Sequence, residues 1–558
     1  MATTAEDSFD PYAERPSFWR QHESGTWAVA MFVLTVVLTV LSFPPYSTPE
    51  FAYAFAAPAI FWAYLRPSLK LYAGTLMAAQ AVAWTIILSW LHNVTWGGLF
   101  LLGPFVGIWI GLWYLAVWWA MPLIRPHTPL RRVIGVLGLA AFWVFIEWTR
   151  TWFLGGFPWL PLAASQWQRS ILLQIASYTG AYGISFILIT FNLGFAAYAH
   201  RLLREKHKGL RKRSPEFMAA LLVLMFPSFL LLTEVFSQDR KELIRFSLVQ
   251  PYVPQTLKWD PAMGPGIMDV LEETTLNAAL DRPDVILWPE AVTPWAVRGD
   301  DNTKAYVESL SARANIPLLL GSIAIEQLNQ PDEAWFNGVF LVTPHDGLQT
   351  GYYAKRHLVP FGEYVPLRPV LGWLSKFVPI GDDFQAGEDA HPLLVPRRNG
   401  DMVIVGPLIC YEDIYPQLAL SSARTGAELL TVHTNNGWFG EGGAAYQHAA
   451  HSVLRAVETR RPVVRVGNVG WSGWIDEFGN IRQTVTNYED SIFFRGSQLA
   501  VVTRDRRWIG RESFYTKHGD WFVLTCMGLA LLAGLMLKFT LPPPVPTETT
   551  EPDSPEPL

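Results

Sequence analysis

The sequence predicts a two-part protein: a polytopic α-helical membrane domain of eight spans and an extracytoplasmic α/β domain. Three observations predict it. Charged residues are missing in blocks, Lys and Arg gather in alternate short loops, and short β-rich runs alternate with helical stretches between 237 and 518. Half of the 558 residues are hydrophobic and 16% are charged, against roughly 25% charged in a soluble globular domain. Aromatics reach 14%, with 25 Trp, which excludes a disordered or collagen-like chain. The net charge of −5 provides no basic footprint for nucleic acid. Two cysteines, Cys410 and Cys526, exclude a disulfide framework and any Cys-rich metal site.

The first part comes from the uncharged blocks. Residues 24–49, 71–124, 170–200, 217–233 and 521–537 contain no Lys, Arg, Asp or Glu. A spanning helix needs about 20 mostly apolar residues. The predicted spans are 27–43, 50–66, 71–92, 99–121, 132–152, 176–200, 216–235 and 519–540, separated by breaks such as Pro44-Pro45, Pro67 and Gly97-Gly98. The 26 residues before the first span are polar and partly acidic, unlike the short basic start of a cleaved signal peptide.

Orientation follows from Lys and Arg in short loops. The loop after the second span has Arg66 and Lys70, and the loop after the fourth has Arg125, Arg131 and Arg132. The loop after the sixth runs from Arg201 to Arg213 with seven basic residues, whereas the loops after the first and third have none. Both termini are therefore expected in the cytoplasm, with 1–26 as a cytoplasmic segment, 27–236 as seven spans, 237–518 outside the cytoplasm and 519–540 as the last span. The Pro/Glu-rich tail 541–558 reads as disordered. Asn93-Val94-Thr95 matches a glycosylation sequon.

In the second part, candidate strands are Arg245–Gln250, Asp284–Trp288, Pro317–Ala324, Gly338–Thr343, Val403–Ile409, Leu429–Thr434 and Val463–Val466. Helical stretches fall near 264–281, 301–314, 414–426 and 444–461. Strands alternating with helices argue for a layered α/β domain.

Three segments place a reactive residue just after an apolar strand: Val285–Glu290, Tyr352–Lys355 and Gly406–Asp413. Strand ends and their loops are where rigid scaffolds present catalytic groups. A cysteine thiol needs a base or a cation beside it to act as a nucleophile. Glu290 offers the base, and Lys355 offers a cation for the carboxylate and for an oxyanion. Together they would make a metal-free thiol acyl-transfer site. Taken singly, a lone Cys is more often a small buried hydrophobe, and these three residues alone do not decide between the readings.

Glu290, Lys355 and Cys410, in this order and with spacings of 65 and 55 residues, resemble the triad of the nitrilase (carbon–nitrogen hydrolase) superfamily. Seven hydrophobic segments before the triad and one after it resemble that superfamily's membrane-embedded family, the apolipoprotein N-acyltransferases. The resemblance is densest in Val249-Gln250-Pro251, Gln255–Trp259, Trp288-Pro289-Glu290, Lys355–Pro366, Ile409–Glu412 and Asn435–Gly440, and in Gly156–Trp159 of the membrane half.

The resemblance implies a nitrilase-like αββα sandwich for the extracytoplasmic domain and a ping-pong reaction at the outer face of the bacterial cytoplasmic membrane. Cys410 would attack the sn-1 ester of a phospholipid, typically phosphatidylethanolamine. The thioester would then pass its acyl chain to the α-amine of an S-diacylglyceryl-cysteine apolipoprotein. Glu290 would be general base, Lys355 oxyanion stabiliser and Cys410 nucleophile. Glu363 and Glu412 match two further family acids, and Trp259, Asn337, Tyr411 and Trp438 match positions lining the substrate cavity or its lid loops. No cofactor is implied, the partners are the phospholipid, the apolipoprotein and the bilayer, and the expected state is a monomer.

A thioester must be kept from water. Trp438-Phe439 and the Trp471–Trp474 loop are expected to seal the site and insert at the interface, where Trp is favoured. Two departures from the family pattern stand out: Asn436 occupies a usual Asp position, and Val469–Trp474 replaces smaller polar residues.

Other features have blander readings. His448 and His451 have a spacing metal ligands use, but no third ligand is apparent, and the resemblance implies that this helix is scaffold. Arg455 and Glu458 read as an i,i+3 ion pair. Glu147 and Arg150, near the outer end of the fifth span, are either a functional site or an interfacial ion pair. Cys526 reads as packed and inert. The basic run 201–213 reads as a topology signal with anionic-lipid contact. Competing functions are a membrane-tethered amidase with the same triad, and a transporter with a solute-binding outer domain. Few ionisable groups in the spans argue against the transporter.

Overall fold

The computed structural model describes residues 23–46, 48–204, 214–232, 236, 239–258, 260–366, 368–373 and 383–540. The tail 541–558, most of the N-terminal segment, basic residues 205–213 and Trp259 lie outside the described residues.

The membrane half is built of helices α1 (Glu23–Leu41), α2 (Ala57–Tyr64), α3 (Leu69–Ile87), α4 (Trp96–Ile124), α5 (Pro129–Thr149), α6 (Ala181–Arg204) and α7 (Pro215–Leu230). A helix at the far end of the chain, Trp521–Phe539, packs against α5, burying Cys526 with Ala141, Val144 and Tyr182. Among the described residues, five helices are long and apolar enough to cross a membrane: α1, α4, α5, α6 and Trp521–Phe539. Predicted span 50–66 differs most, being a 3-10 turn (Pro49–Tyr53) followed by the eight-residue α2. Asn192 of α6 braces this break, its amide donating to the Ala52 carbonyl and its oxygen accepting from Ala56 N–H. Predicted span 176–200 starts instead at Ala181. Gly180 has φ +68 and ψ −177, and a Cβ there would lie 2.6 Å from the Tyr515 ring; this extended positive-φ geometry, essentially reserved for glycine, ends the preceding short turn. Gly97-Gly98 is no break either, because α4 already begins at Trp96.

The second half is two six-stranded sheets. Strands are β1 (Arg240–Gln250), β2 (Val285–Leu287), β3 (Leu318–Glu326), β4 (Ala334–Thr343), β5 (Gly347–Ala354), β6 (Leu393–Pro396), β7 (Met402–Ile409), β8 (Leu429–Thr434), β9 (Val463–Gly467), β10 (Gly473–Ile475), β11 (Ile481–Thr484) and β12 (Gly496–Asp505). The first sheet runs β12-β1-β2-β3-β4-β5 and the second β11-β10-β9-β8-β7-β6. β1, β2 and β3 are parallel, as are β7, β8 and β9, so each sheet has the parallel centre that helical crossovers produce. The five strands without a sequence expectation, β5, β6, β10, β11 and β12, all pair antiparallel at the margins. They are short or mixed in polarity, so no apolar run marks them.

Side-chain alternation assembles the layers. Phe246, Leu248, Val285, Leu287, Leu319 and Val339 of the first sheet meet Val403, Val405, Ile409, Leu429, Val464 and Val466 of the second. The opposite face of the first sheet, with Val249, Ile286, Leu318 and Leu320, packs on helices Gly264–Ala279 and Asp301–Ala314. Leu408, Leu430 and Val432 on the outer face of the second sheet pack beneath Pro416–Arg424 and Gly443–Thr459. The result is an αββα sandwich.

Helix Gly443–Thr459 also faces the membrane half and is buried on nearly every side. Its polar residues bond across that junction. Gln447 Oε1 accepts from Trp90 and Trp159 indoles at 3.0 and 2.9 Å, and its amide donates to the Pro44 and Ile87 carbonyls. Glu458 accepts from Ala181 N–H at 2.9 Å and from Arg455 at 2.7 Å. A buried polar group costs stability unless it is bonded, so these pairs dictate how the helix seats.

Candidate active site

Glu290, Lys355 and Cys410 arrive at one end of the sandwich from three strand ends. Glu290 follows β2, whose exit passes directly over Gly321 of β3; a Cβ at Gly321 would lie 2.4 Å from the Pro289 carbonyl and 2.7 Å from Glu290 Cα. Lys355 follows β5. The β4–β5 register pairs Gly338 with Ala354, and Lys355 N–H donates to the Asn337 carbonyl at 2.8 Å. Cys410 follows β7 with φ +49, a left-handed conformation uncommon for a non-glycine residue.

That turn is held by Glu412. Its carboxylate accepts from Ile409 N–H and Tyr353 O–H, both at 2.7 Å, and from Arg356 N–H at 2.6 Å and His357 N–H at 3.2 Å. One fully buried acid therefore joins the end of β7 to the segment after Lys355. Behind the turn, Asp413 bonds Arg465 at 2.7 Å and Ser452 at 2.6 Å, and the His448 ring lies 2.9 Å from its other oxygen. His448 also approaches the Cys410 carbonyl at 3.1 Å.

Lys355 Nζ donates to Glu290 Oε1 at 3.2 Å and to Glu363 Oε1 at 2.9 Å. Asn337 Nδ2 donates to the same two oxygens, each at 3.0 Å. Asn337 thus bridges the two acids, whereas the family resemblance implied a lining position for it. The Cys410 thiol lies within interaction reach of the Glu290 carboxylate, the Thr434 hydroxyl and the Asn435 N–H.

Electrostatics separate the proton holders. Burial pushes the Cys410 thiol up to about 12, with the Glu290 charge adding to it. Burial also pushes Glu290 upward, but the ammoniums of Lys355 and Lys258, with bonds from Cys410 and Asn337, hold it below the usual carboxylate range. Burial works against the Lys355 charge, yet Glu363 and Glu290 outweigh it and keep the ammonium firmly protonated. The resting site is therefore a neutral thiol beside an ionised acid and a charged lysine. Such a set can remove the thiol proton as the sulfur attacks and can oppose negative charge on a carbonyl oxygen. With Cys, Glu and Lys as its donors, it offers the ligand set of no ordinary metal centre.

The remaining expected residues fall around this centre. Tyr411 and Tyr415 both donate to the Gly156 carbonyl, at 3.2 and 2.9 Å, so the turn bearing Cys410 is tied to the membrane half. Trp438 is partly exposed on a 3-10 turn, Asn436–Phe439. Phe439 beside it packs on Trp90 at 4.3 Å between ring centres. Trp471 and Trp474 do not insert at an interface: they are 2% and 6% exposed. Trp474 alternates into the layer between the sheets. Trp471 walls a cavity of about 510 Å³ with Trp167, Tyr446 and Asn480, and no triad residue lines it.

Three features have changed readings. Asn93 Nδ2 donates to the Phe439 carbonyl at 2.7 Å, so its amide serves the junction between the halves. Glu147 and Arg150 form no direct pair among the described ion pairs. Glu147 accepts from Leu162 N–H at 2.7 Å and Arg150 donates to the Phe157 and Trp159 carbonyls, so both grip the loop after α5. His448 and His451 diverge, His448 toward Asp413 and His451 accepting from Leu160 N–H at 3.1 Å. Arg455 and Glu458 do form the i,i+3 pair.

Lys258 escaped the sequence reading. It sits in the loop after β1, only 3% exposed, and donates to the Glu290 carbonyl oxygen at 3.3 Å. Its neighbourhood, Gln255–Trp259, was visible as a motif, but nothing in the spacing distinguishes an inward lysine from a solvated one.

Two family descriptions match the chain. Residues 262–507 match "Carbon-nitrogen hydrolase" and residues 35–194 match "Apolipoprotein N-acyltransferase N-terminal domain". The second half is therefore a carbon–nitrogen hydrolase domain. A protein of Geobacter metallireducens named apolipoprotein N-acyltransferase is 30% identical over 524 residues, covering 91% of this chain and 95% of that protein. Proteins of the same name from Azotobacter vinelandii and Chlorobaculum tepidum are 32% and 30% identical over 68% and 72% of this chain, and 70% and 76% of their own lengths. The chain belongs to the apolipoprotein N-acyltransferase family.

Proposed function

We propose that this protein is the acyltransferase of bacterial lipoprotein maturation, moving a fatty acyl chain from a phospholipid to the N-terminal α-amine of a diacylglyceryl apolipoprotein. The observation that carries the reading is the meeting of Glu290, Lys355 and Cys410 beneath a turn hydrogen-bonded to the membrane half through Tyr411 and Tyr415. A soluble amidase has no need of that bond. A lipid ester is held at headgroup depth, and an enzyme acting on it must fix its nucleophile relative to the membrane.

In the first half-reaction Cys410 Sγ attacks the sn-1 ester carbonyl while Glu290 takes the thiol proton. Because the thiol is pushed up to about 12, free thiolate is scarce at neutral pH, and proton removal accompanies carbon–sulfur bond formation. Lys355 opposes the oxyanion. The carbon–oxygen bond breaks, the lysophospholipid alkoxide takes the proton from Glu290, and a thioester remains on Cys410. In the second half the acceptor α-amine, in its neutral form, attacks the thioester and Glu290 receives its proton. The amide forms and the proton passes to the leaving sulfur, restoring the thiol. Glu363 and Asn337 hold Lys355 and Glu290 in register. Trp438 and Tyr411 line the entry for the lipid. The membrane helices keep the catalytic domain at the outer face of the cytoplasmic membrane, with both termini in the cytoplasm.

The test is direct. Detergent-solubilised protein given acyl-labelled phosphatidylethanolamine is expected to carry label released by neutral hydroxylamine, and the label should leave as an N-acyl amide when a diacylglyceryl peptide is added. An equal adduct on Cys410→Ala would sink the mechanism, and release to water alone would mark a hydrolase instead. Glu290→Gln is expected to slow adduct formation by about 10² to 10⁴ with phospholipid binding retained.

A further inference from the structure

From the burial of Lys258 against Glu290, we infer that Lys258 is a positioning residue of the acyl-transfer site: its ammonium balances the second carboxylate and keeps Glu290 ionised as the base. The inference rests on the function proposed above.

The charge count within the buried site carries it. Glu290 and Glu363 both contact Lys355, at 3.2 and 2.9 Å, and Asn337 bridges them without adding charge. Two carboxylates facing one ammonium leave a net charge of −1 away from water. Isolated charge in such a place is expensive, and the usual outcome is that one acid keeps its proton. Glu290 is the acid that must not. Lys258 is itself buried, and its Nζ donates to the main-chain carbonyl of Glu290 at 3.3 Å. The Glu290 carboxylate and the Cys410 sulfur both act on its charge. With Lys258 charged, the set of two acids and two ammoniums is neutral, and Glu290 can remain a carboxylate next to a neutral thiol.

Other charged or titratable groups around Glu290 do not replace it. Arg465, which also feels Glu290, is bonded to Asp413 at 2.7 Å and balances that acid. His433 bonds the Trp288 carbonyl beneath the site, and burial holds it to about 4, so it is neutral. His357 lies beyond Lys355 and is likewise held to about 4 by burial and by the Lys355 charge. Lys258 is itself pulled down to about 8 by burial, so it remains mostly protonated at neutral pH and gives up its charge soon above it.

The experiment follows the pH dependence of thioester formation in the full-length, detergent-solubilised protein, using acyl-labelled phosphatidylethanolamine as donor. In Lys258→Met the acid limb of the acylation rate is expected to move up by about one pH unit or more, a tenfold fall on that limb. In Lys258→Arg, which keeps the charge, the acid limb should stay near that of the wild type. In Lys258→Met/Glu363→Gln, which removes one charge of each sign, the limb should move back down. An acid limb unmoved in Lys258→Met, even with a rate lowered evenly at every pH, would overturn the inference and leave Lys258 a packing residue. If Lys258→Met does not fold, the charge-balanced double variant decides: an acid limb well above the wild-type position overturns it. A label that persists in Cys410→Ala is a separate failure, one of the acyl-enzyme reading itself.

Discussion

The hydroxyl of Tyr415 donates to the carbonyl of Gly156 across 2.9 Å, and this bond joins the turn that carries the nucleophile to the loop that caps the membrane helices. Tyr411 donates to the same oxygen. Arg150 and Glu147 hold that loop from the other side. The position of Cys410 relative to the membrane helices is therefore set by side chains from both halves of the chain.

The paired tyrosines make a measurable unit. Tyr415→Phe is expected to lower the thermal midpoint in detergent by an amount worth about 1 kcal/mol, the usual net value of one hydrogen bond. Tyr411→Phe alone should cost less, because Tyr415 still satisfies Gly156. The double variant should cost more than the sum, since the buried carbonyl is then left without a donor. Strict additivity in a double-mutant cycle would show that the two hydroxyls do not share the acceptor.

Gly321 tests the placement of the base. Gly321→Ala puts a methyl 2.4 Å from the Pro289 carbonyl and 2.7 Å from Glu290 Cα, and backbone cannot move aside as a side-chain tip can. Glu290 should be displaced by a fraction of an ångström to an ångström. Acylation is expected to fall about a hundredfold while helical content and detergent solubility stay unchanged. Full activity in this variant would mean that Glu290 need not hold its present position.

Glu412 tests the nucleophile's turn. Its two oxygens accept four hydrogen bonds. In Glu412→Gln an amide group would turn N–H toward donors that have nowhere else to go. The expected cost is about 2 to 4 kcal/mol in stability, together with loss of adduct formation. A variant of wild-type midpoint and rate would refute the claim that this acid holds Cys410 in its left-handed conformation.

Acid stability should depend on buried imidazoles. Burial pulls His433 to about 4, and burial with the Lys355 charge pulls His357 to about 4. An unfolded histidine takes its proton near pH 6.5. The folded state therefore binds fewer protons between these values, so stability is complete above pH 6.5 and falls as pH drops toward 4. Each residue contributes up to about 3 kcal/mol to that fall. His433→Gln should flatten the midpoint-versus-pH curve between pH 6.5 and 4; an unchanged slope would show that His433 is protonated in the fold.

Much of this protein was legible in its sequence, for local reasons. Uncharged blocks mark helices that water cannot solvate. The apolar runs of β1, β2, β3, β7, β8 and β9 mark the parallel centres of the sheets, because strands buried on both faces need unbroken hydrophobicity. Glu290 and Cys410 stand at strand ends where the break in the apolar run is plain, whereas Lys355 follows β5, which has no such run. The marginal strands were not legible, since strands that are very short, like β10, or half exposed to water have no such signature. Trp471 and Trp474 show the same limit: an aromatic-rich loop reads as interfacial, yet neighbouring strands and Tyr446 cover it.

By itself the chain determined its long apolar helices and the layered α/β domain, and it marked three candidate reactive residues, because hydrophobic periodicity and residue type are local properties. Only the tertiary structure decided which polar groups face one another. The bridging role of Asn337, the inward ammonium of Lys258, the four bonds to Glu412 and the Tyr415–Gly156 tie all join residues far apart in sequence. Their positions depend on strand register and on the fit of one buried helix against the membrane half, where an unpaired polar group would be too costly to leave to chance.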